Sequence, residues 1–460
     1  MFFDIAQFYH NSLVNAYLQN IGTLPGDYLL MKKQRAEFSP RYYSRNKTKI
    51  RNYCIADCKY TKELSIHWIN LFLNAFEFYP ARWISSGYLA EKVLINHGID
   101  MPKFDQTSYK IQDLAYKSYF GGRFEILKRG FIGKAYLYDI NSAYPYALTK
   151  IPDITKGEWI QTDKILNDAK LGFFKIKVDI PDCTHIPLFP FRTNHTMIFP
   201  SGKFITYCTL AELQACNDDS LYRILEGYQF IAHSNIYPYR KFIEKLYKKR
   251  LKLKQENNPL QLPIKIILNS IYGKTGQKVR GKIGNLFNPV IFASITGIAR
   301  AQLYDFVIKN GIEKEVVSFA TDSICYTKKL GVNSIKLGEF SLDNEADDVF
   351  ILQNGIYRFN GKWKQRGLGK LGTRDIEHFD TYEKDGKLFC KFKLLRNSRL
   401  RSSILQNQIS EIGKIKEIQR EVNLNADRKR LWLGQINSIT DKIMNESVAL
   451  SLNFFQKEQI

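Results

Sequence analysis

A strand that ends in a carboxylate has the strongest hold on what this chain can become. From Lys134 to Ile140, small or aliphatic residues (Ala135, Leu137) alternate with aromatic ones (Tyr136, Tyr138), the two-residue period of a β-strand. Asp139 closes it, the chain turns through Asn141 and Ser142, and Pro145 suits the opening of a helix. A carboxylate at a strand end is exposed and held by the sheet behind it. That suits a metal ligand, although a solvated strand end looks the same. A second acid, Asp322, stands in Ser318-Phe319-Ala320-Thr321-Asp322-Ser323, between two short strand-like segments, Glu315–Phe319 and Ser323–Thr327. Turn aspartates are commonly structural.

The segment between the two acids raises their interest. Lys241 to Lys254 carries seven cations (Lys241, Lys245, Lys248, Lys249, Arg250, Lys252, Lys254) against one acid, Glu244, on a predicted helix over 239–256. Such a face is self-repelling without an anionic ligand, although a solvated face is the ordinary reading. Asn257-Asn258-Pro259 reads as a turn, and a second helix follows from Pro263 to Tyr272. On it Lys265 and Asn269 are i,i+4 neighbours and Tyr272 lies one turn on. One face thus offers a charge, an amide and a ring, a set that can hold a triphosphate and pack on a base. The alternative is an amphipathic helix capped by Gly273. An acid on a strand, a basic helical hairpin and an acid on a β-turn is the inventory for phosphoryl transfer between two Mg²⁺ ions.

The balance of charge agrees. The 460 residues hold 68 Lys and Arg against 45 Asp and Glu, a formal +23, with 27 Tyr and 31 Phe. Cations mixed with aromatic rings suit nucleic acid, where phosphates meet charge and bases meet ring faces. Hydrophobic residues at 44% supply a core, and the length allows two to four domains. No run of about 18 apolar residues is present, so no membrane span is expected. Met1-Phe2-Phe3-Asp4 lacks the basic start of a secretory signal, and seven scattered cysteines fit reduced thiols, which places the expected site in the cytoplasm. Cys54 and Cys58 lie i,i+4 with no second ligand pair nearby, so zinc is not expected there.

Taken in order, these segments resemble the polymerase core of family B DNA polymerases over roughly residues 50–370. Asp139-Ile140-Asn141-Ser142-Ala143-Tyr144-Pro145 resembles motif A, Asp-x-x-Ser-Leu-Tyr-Pro, with Ala143 in the Leu place. Lys265 to Gly273 resembles motif B in full, and Ser318 to Ser323 resembles motif C, Tyr-x-Asp-Thr-Asp-Ser. Tyr119-Phe120-Gly121-Gly122-Arg123 is similar to the Tyr-x-Gly-Gly element that joins exonuclease and polymerase halves. Lys364-Gln365-Arg366-Gly367 stands where the family has a basic motif on primer-template DNA. The long segment between motifs A and B is similar to that of the protein-primed branch of phages and linear plasmids.

The resemblance implies an α+β right-hand fold: a palm with an antiparallel sheet, helical-hairpin fingers and a thumb, after a partial RNase H-like exonuclease domain. The implied segments are 1–90 (exonuclease remnant), 91–237 (linker and palm with insertion), 238–283 (fingers), 284–357 (palm) and 358–460 (thumb). Asp139 and Asp322, with the Ile140 carbonyl, are implied ligands of two Mg²⁺ ions, Mn²⁺ being an alternative. Tyr144 is implied under the sugar, Arg250, Lys254, Lys265 and Asn269 on the incoming triphosphate, and Tyr272 beside the nascent pair. Tyr119, Gly121, Gly122, Arg123, Lys364 and Arg366 are implied DNA contacts. Implied partners are primer-template DNA and dNTPs, in replication of a viral or plasmid-like element.

Two departures stand out. Ala320 replaces the first acid of motif C, which leaves activity expected on Asp322 with an altered metal preference, and leaves open a non-catalytic DNA-binding subunit. Tyr53-Cys54-Ile55-Ala56-Asp57 is similar to the third exonuclease motif, but the two earlier motifs are not upstream. The expectation is that proofreading is absent or that a separate upstream chain completes it; Asp57 alone cannot run nuclease chemistry. From Arg358 to Arg401, 13 Lys and Arg face 5 Asp and Glu, suited to gripping duplex phosphates, and 427–432 offers another basic contact. The stretch from motif B to motif C is short, so the insertion that protein-primed relatives carry there for processivity and strand displacement is read as reduced, and that ability is not assumed. Synthesis started from a terminal protein, from a nucleic-acid primer or without a primer is equally compatible with these residues.

Overall fold

The computed structural model describes residues 4–34, 40–103, 106–194, 196–366, 381–385, 387–398, 400–411, 415–439 and 442–452. They form two compact units, each assembled from separated segments. The first takes 1–107, 144–155 and 235–292; the second takes 108–143, 156–234 and 293–460. These units cut across the five linear segments expected from the sequence.

The first unit is largely helical. Its longest element, α1 (Lys47–Phe76), buries Tyr53, Tyr60, Leu64, Trp68, Leu71 and Phe72. Each such large side chain contributes about 1.5–3 kcal/mol on burial. The helix stops at Glu77, which takes a left-handed conformation and donates its N–H to Leu73. Helix α2 (Ser86–Asn96) starts on a Ser85 cap, and α3 (Ala143–Thr149) follows motif A. Helices α4 (Arg240–Gln255) and α5 (Gln261–Thr275) form the basic hairpin. Pro263 falls at the third position of α5 rather than the first. The position is tolerated because the first turn has no intrahelical partner for that N–H. No strand occurs among the described residues before Arg123. The described residues of the expected RNase H-like part are therefore helical.

The second unit is built on strands. β1 (Arg123–Ile126) and β2 (Lys128–Ile140) open it. Next come β3 (Gly157–Gln161), β4 (Ala169–Ile180), β5 (Gly202–Thr209) and β6 (Tyr222–Ala232), an antiparallel sheet in the order β3-β6-β4-β5. The longest of them, β4 and β6, run 12 and 11 residues. After α6 (Pro289–Asn310) the chain forms β7 (Val316–Thr321), β8 (Ser323–Tyr326), β9 (Phe340–Gln353), β10 (Ile356–Phe359) and β11 (Lys362–Gln365). Strands β12 (Thr381–Lys384), β13 (Lys387–Asn397) and β14 (Ile415–Asn423) make a separate sheet, and β15 (Arg430–Trp432) pairs with β16 (Met444–Ala449).

The main sheet runs β1-β7-β8-β2-β9-β10-β11, with β16 pairing to the start of β2 and β15 pairing to β16. The alternation along β2 sends Tyr136, Tyr138 and Ile140 to one face, against Phe319, Ile324, Tyr326 and Phe340 and against Leu303 and Val307 of α6. Ala135 and Leu137 go to the other, with Ile126, Val317, Cys325 and Ile351. By length and mean hydropathy α6 meets the requirements for crossing a membrane, although Arg300, Gln302 and Asp305 interrupt its apolar run. Two thirds of its apolar window is buried inside the protein, as in a core helix.

Candidate active site

Register brings the two acids together. β8 pairs antiparallel with β2 so that Ser323 stands opposite Asp139. The Ile140 N–H donates to the Asp322 carbonyl at 3.0 Å. Asp322 is the single residue between β7 and β8, and its N–H donates back to Ala320 at 2.9 Å across Thr321, whose φ is +70°. A hydrogen bond from residue i+2 to i across a positive φ is the rare and strained form of γ-turn, and a β-branched residue is the least suited to it. The sheet holds Asp322 there regardless.

A third carboxylate joins them. On β9, Leu342 pairs with Tyr138 and Asn344 with Leu137, so Asp343 is the extra residue of a bulge. Burial, then the charges of Asp322 and Asp343, push Asp139 up to about 7. Burial also pushes Asp322 up. Among the described residues neither acid has an ion-pair partner, and no group of three or more His, Cys, Asp or Glu is gathered closely enough to hold a metal by itself. Hard oxygen donors, partly desolvated and mutually repelling, still fit a divalent ion that keeps several waters or takes oxygens from a substrate, the habit of Mg²⁺. Asp343 lies in no motif that the sequence reading could use; its bulge exists only in the paired sheet.

Asp139, Ile140 and Asp322 lie in the second unit. Tyr144, Arg250, Lys254, Lys265, Asn269 and Tyr272 lie in the first, where the ring of Tyr144 stacks on that of Tyr272 with centroids 4.3 Å apart and planes 29° from parallel. On α5, Lys265 and Asn269 are exposed while Ile264, Ile267, Leu268 and Ile271 are buried, so the polar pair points outward. On α4, Lys254 is exposed. Arg250 is half-buried, which pushes its guanidinium below the ordinary arginine value. Lys249 is turned inward and donates to the Ala75 carbonyl at 3.0 Å.

The expected DNA contacts divide. Lys364 and Arg366 are exposed, Lys364 over the Tyr357 ring and Arg366 over the Phe124 ring, each at 5.4 Å; Gly367 lies outside the described residues. Phe124 and Tyr357, with Ala320, Leu137 and Ser323, line an open hollow of about 500 Å³ on the face of the sheet that Asp139 shares with Leu137. Arg123 corrects the expectation. It is 1% exposed, sandwiched between Phe199 and Phe319, and bonded to Glu125 and the Pro187 carbonyl, so it reaches no phosphate. Arg430 of the basic segment 427–432 is buried on the same Glu125.

The turn before Arg123 is held from outside the motif. Gly121 has φ +78°, its carbonyl accepts from Arg300 at 2.5 Å, and the Tyr119 carbonyl accepts from Arg192. Gly122 follows in the same turn. Arg300 is itself paired to buried Glu212 at 2.8 Å. Tyr53 and Asp57 of α1 are both engaged with Tyr28, by ring stacking at 5.2 Å and by a hydroxyl hydrogen bond respectively. No local signal in the sequence marks Arg192, Arg300 or Tyr28 for these tasks.

Comparison with known proteins gives a single direction. The family described as DNA polymerase type B, organellar and viral, matches residues 25–289. The DNA polymerase of Acidianus bottle-shaped virus (isolate Italy/Pozzuoli) is 25% identical, over 91% of this chain and 69% of the relative. The DNA-directed DNA polymerase of Enterobacteria phage PRD1 is 23% identical over 52% of this chain and 49% of the relative. In fold, the chain is similar to phi29 DNA polymerase complexed with primer-template DNA and incoming nucleotide. The TM-score is 0.63 at 14% identity, covering 92% of this chain and 80% of that one.

Proposed function

Because the chain belongs to the organellar and viral type B DNA polymerases, a family of DNA-directed DNA polymerases, we propose that it extends a primer 3′-hydroxyl with dNTPs by two-metal phosphoryl transfer, in replication of a viral or plasmid-like element in the host cytoplasm. The observation that carries this reading is the pairing of β2 with β8, which seats Asp139 beside Asp322 at one sheet end.

Asp139, Asp322 and the Ile140 carbonyl would hold the divalent ions, with Asp343 near enough to act on them electrostatically. When bound, Mg²⁺ lowers the pKa of the attacking hydroxyl and neutralises charge on the α-phosphate and the leaving pyrophosphate. The protein's own part is charge and placement. Two close carboxylates disfavour ionising together, so they favour a cationic occupant between them. On α4 and α5, Arg250, Lys254, Lys265 and Asn269 offer donors for a triphosphate. The Tyr144–Tyr272 stack gives a flat apolar wall suited to a sugar and base, and Tyr144 in that place would exclude a ribose 2′-hydroxyl. Lys364 and Arg366 beside the hollow suit a duplex backbone on Asp139's face of the sheet.

In this reading the main sheet is the palm, the α4–α5 hairpin the fingers, the sheets after β11 the thumb, and the helices through α1 the counterpart of an exonuclease end. Primer extension with Mg²⁺ and dNTPs tests it. Asp139→Asn and Asp322→Asn should each lower incorporation by roughly three orders of magnitude or more while DNA affinity holds. Normal extension by either variant rules out the site. DNA binding without incorporation by the wild type indicates instead a DNA-binding subunit, as Ala320 would allow.

A further inference from the structure

Motif A as the family writes it leaves the position of Asn141 unspecified, yet in the fold this residue is bonded through its backbone and its side chain alike. Its N–H donates to the Glu339 carbonyl at 3.0 Å and its carbonyl accepts from the Gly338 N–H at 2.8 Å. Its side-chain amide donates to the Ser334 carbonyl at 2.7 Å and again to Glu339 at 3.0 Å, and its Oδ1 accepts from the Ser341 hydroxyl at 3.3 Å. Both amide hydrogens and both carbonyl groups are thus engaged.

The far side of these bonds is itself braced. Ser334 donates its N–H to Phe340 at 2.9 Å and its hydroxyl to the Glu339 carboxylate at 2.6 Å, and Gln302 of α6 donates to the Gly338 carbonyl. Asn141 therefore clamps the end of β2, which carries Asp139, to the entry of β9, which carries Asp343 on its bulge. It also sets the peptide between Ile140 and itself. In a planar trans peptide the C=O points opposite the N–H. Tying the Asn141 N–H to Glu339 turns the Ile140 carbonyl the other way.

We infer that Asn141 is a positioning residue of the divalent-ion site, holding the Asp139 carboxylate and the Ile140 carbonyl in the relation that a cation needs. This rests on the metal reading above. Groups that orient ligands in this way commonly govern metal affinity by 10–100-fold.

The test titrates Mn²⁺ alone into the full chain by calorimetry, alongside primer-extension kinetics. Asn141→Ala should weaken Mn²⁺ binding about tenfold or more and lower kcat by a similar factor, with KM for dNTP changed less than about threefold. Tyr138→Phe is the control for mere loosening. It removes two hydrogen bonds to Leu330, on the same connection between β8 and β9, but none to the motif A turn. It should leave Mn²⁺ affinity within about twofold of the wild type. Ser341→Ala removes the bond to Oδ1 and a longer one to the Asp139 carbonyl at 3.5 Å, should cost about threefold, and decides the matter if Asn141→Ala does not fold. Wild-type Mn²⁺ affinity in Asn141→Ala (or in Ser341→Ala, should that variant have to decide) overturns the assignment, as does an equal loss in Tyr138→Phe. Asp139→Asn separates the two levels: if it too binds Mn²⁺ like the wild type, the metal reading itself has failed.

Discussion

Glu125 and Asp139 lie on the same nine-stranded sheet, on β1 and β2, with β7 and β8 between them, and the protein treats the two carboxylates in opposite ways. Glu125 is 1% exposed and gripped by two arginines, Arg123 at 2.6 Å and Arg430 at 3.1 Å. Burial pushes its carboxyl up, but the charges and hydrogen bonds of the arginines outweigh that and hold it below the ordinary range. Asp139 is less buried, faces two further carboxylates, and is pushed up instead. A compensated buried charge is a structural tie. An uncompensated one costs stability that the fold has no internal reason to tolerate, and so it marks where something from outside is expected.

The contrast breaks most visibly in activity. Asp139→Asn should abolish nearly all primer extension, about a thousandfold or more, yet in EDTA its melting temperature should hold or rise because a repulsion is removed. A large loss of stability would place Asp139 in the same class as Glu125. Glu125→Gln should do the reverse. Leaving two buried guanidinium groups short of their counter-charge should cost about 3–5 kcal/mol in denaturant unfolding, while the folded fraction keeps its kcat.

Acid unfolding sharpens the same distinction. Because Glu125 titrates lower in the native state than its ordinary value of 4.5, its stabilisation is complete above about that pH. It is lost as pH falls through the lower native value. Wild-type stability should therefore drop on going from pH 5 to pH 3, and Glu125→Gln should show a shallower drop over that window. Equal slopes would show that the arginine pair does not depress Glu125. The smallest effect is expected at the γ-turn. Thr321→Gly relieves the positive φ and should stabilise the protein by roughly 1 kcal/mol, with slower extension because Asp322 is held less firmly. Faster extension would show that the turn's strain hinders the chemistry.

Much of this was legible in the residues. The alternation from Ala135 to Tyr138 is a strand with both faces covered, and the basic hairpin breaks at Asn257 as read. The errors have a common cause. Arg123 is a DNA contact by the resemblance of its motif; Glu125 on its own strand, with Phe199, Phe319 and the Pro187 carbonyl from distant segments, turns it inward. The N-terminal region reads as the end of an RNase H-like domain because Tyr53 and Asp57 have the right spacing, but spacing on one helix says nothing of the sheet such a domain needs.

What the sequence by itself determined is chemistry and local form: which residues carry charge, which stretches run as strand or helix, and in what order they come, since periodicity and side-chain type act over a few residues. The tertiary structure alone decided which charges are answered. The bulge that adds Asp343, the arrival of Arg430 on Glu125 and the five bonds on Asn141 all depend on segments far apart in the chain meeting in space, and electrostatic energy follows distance in space, not position along the chain.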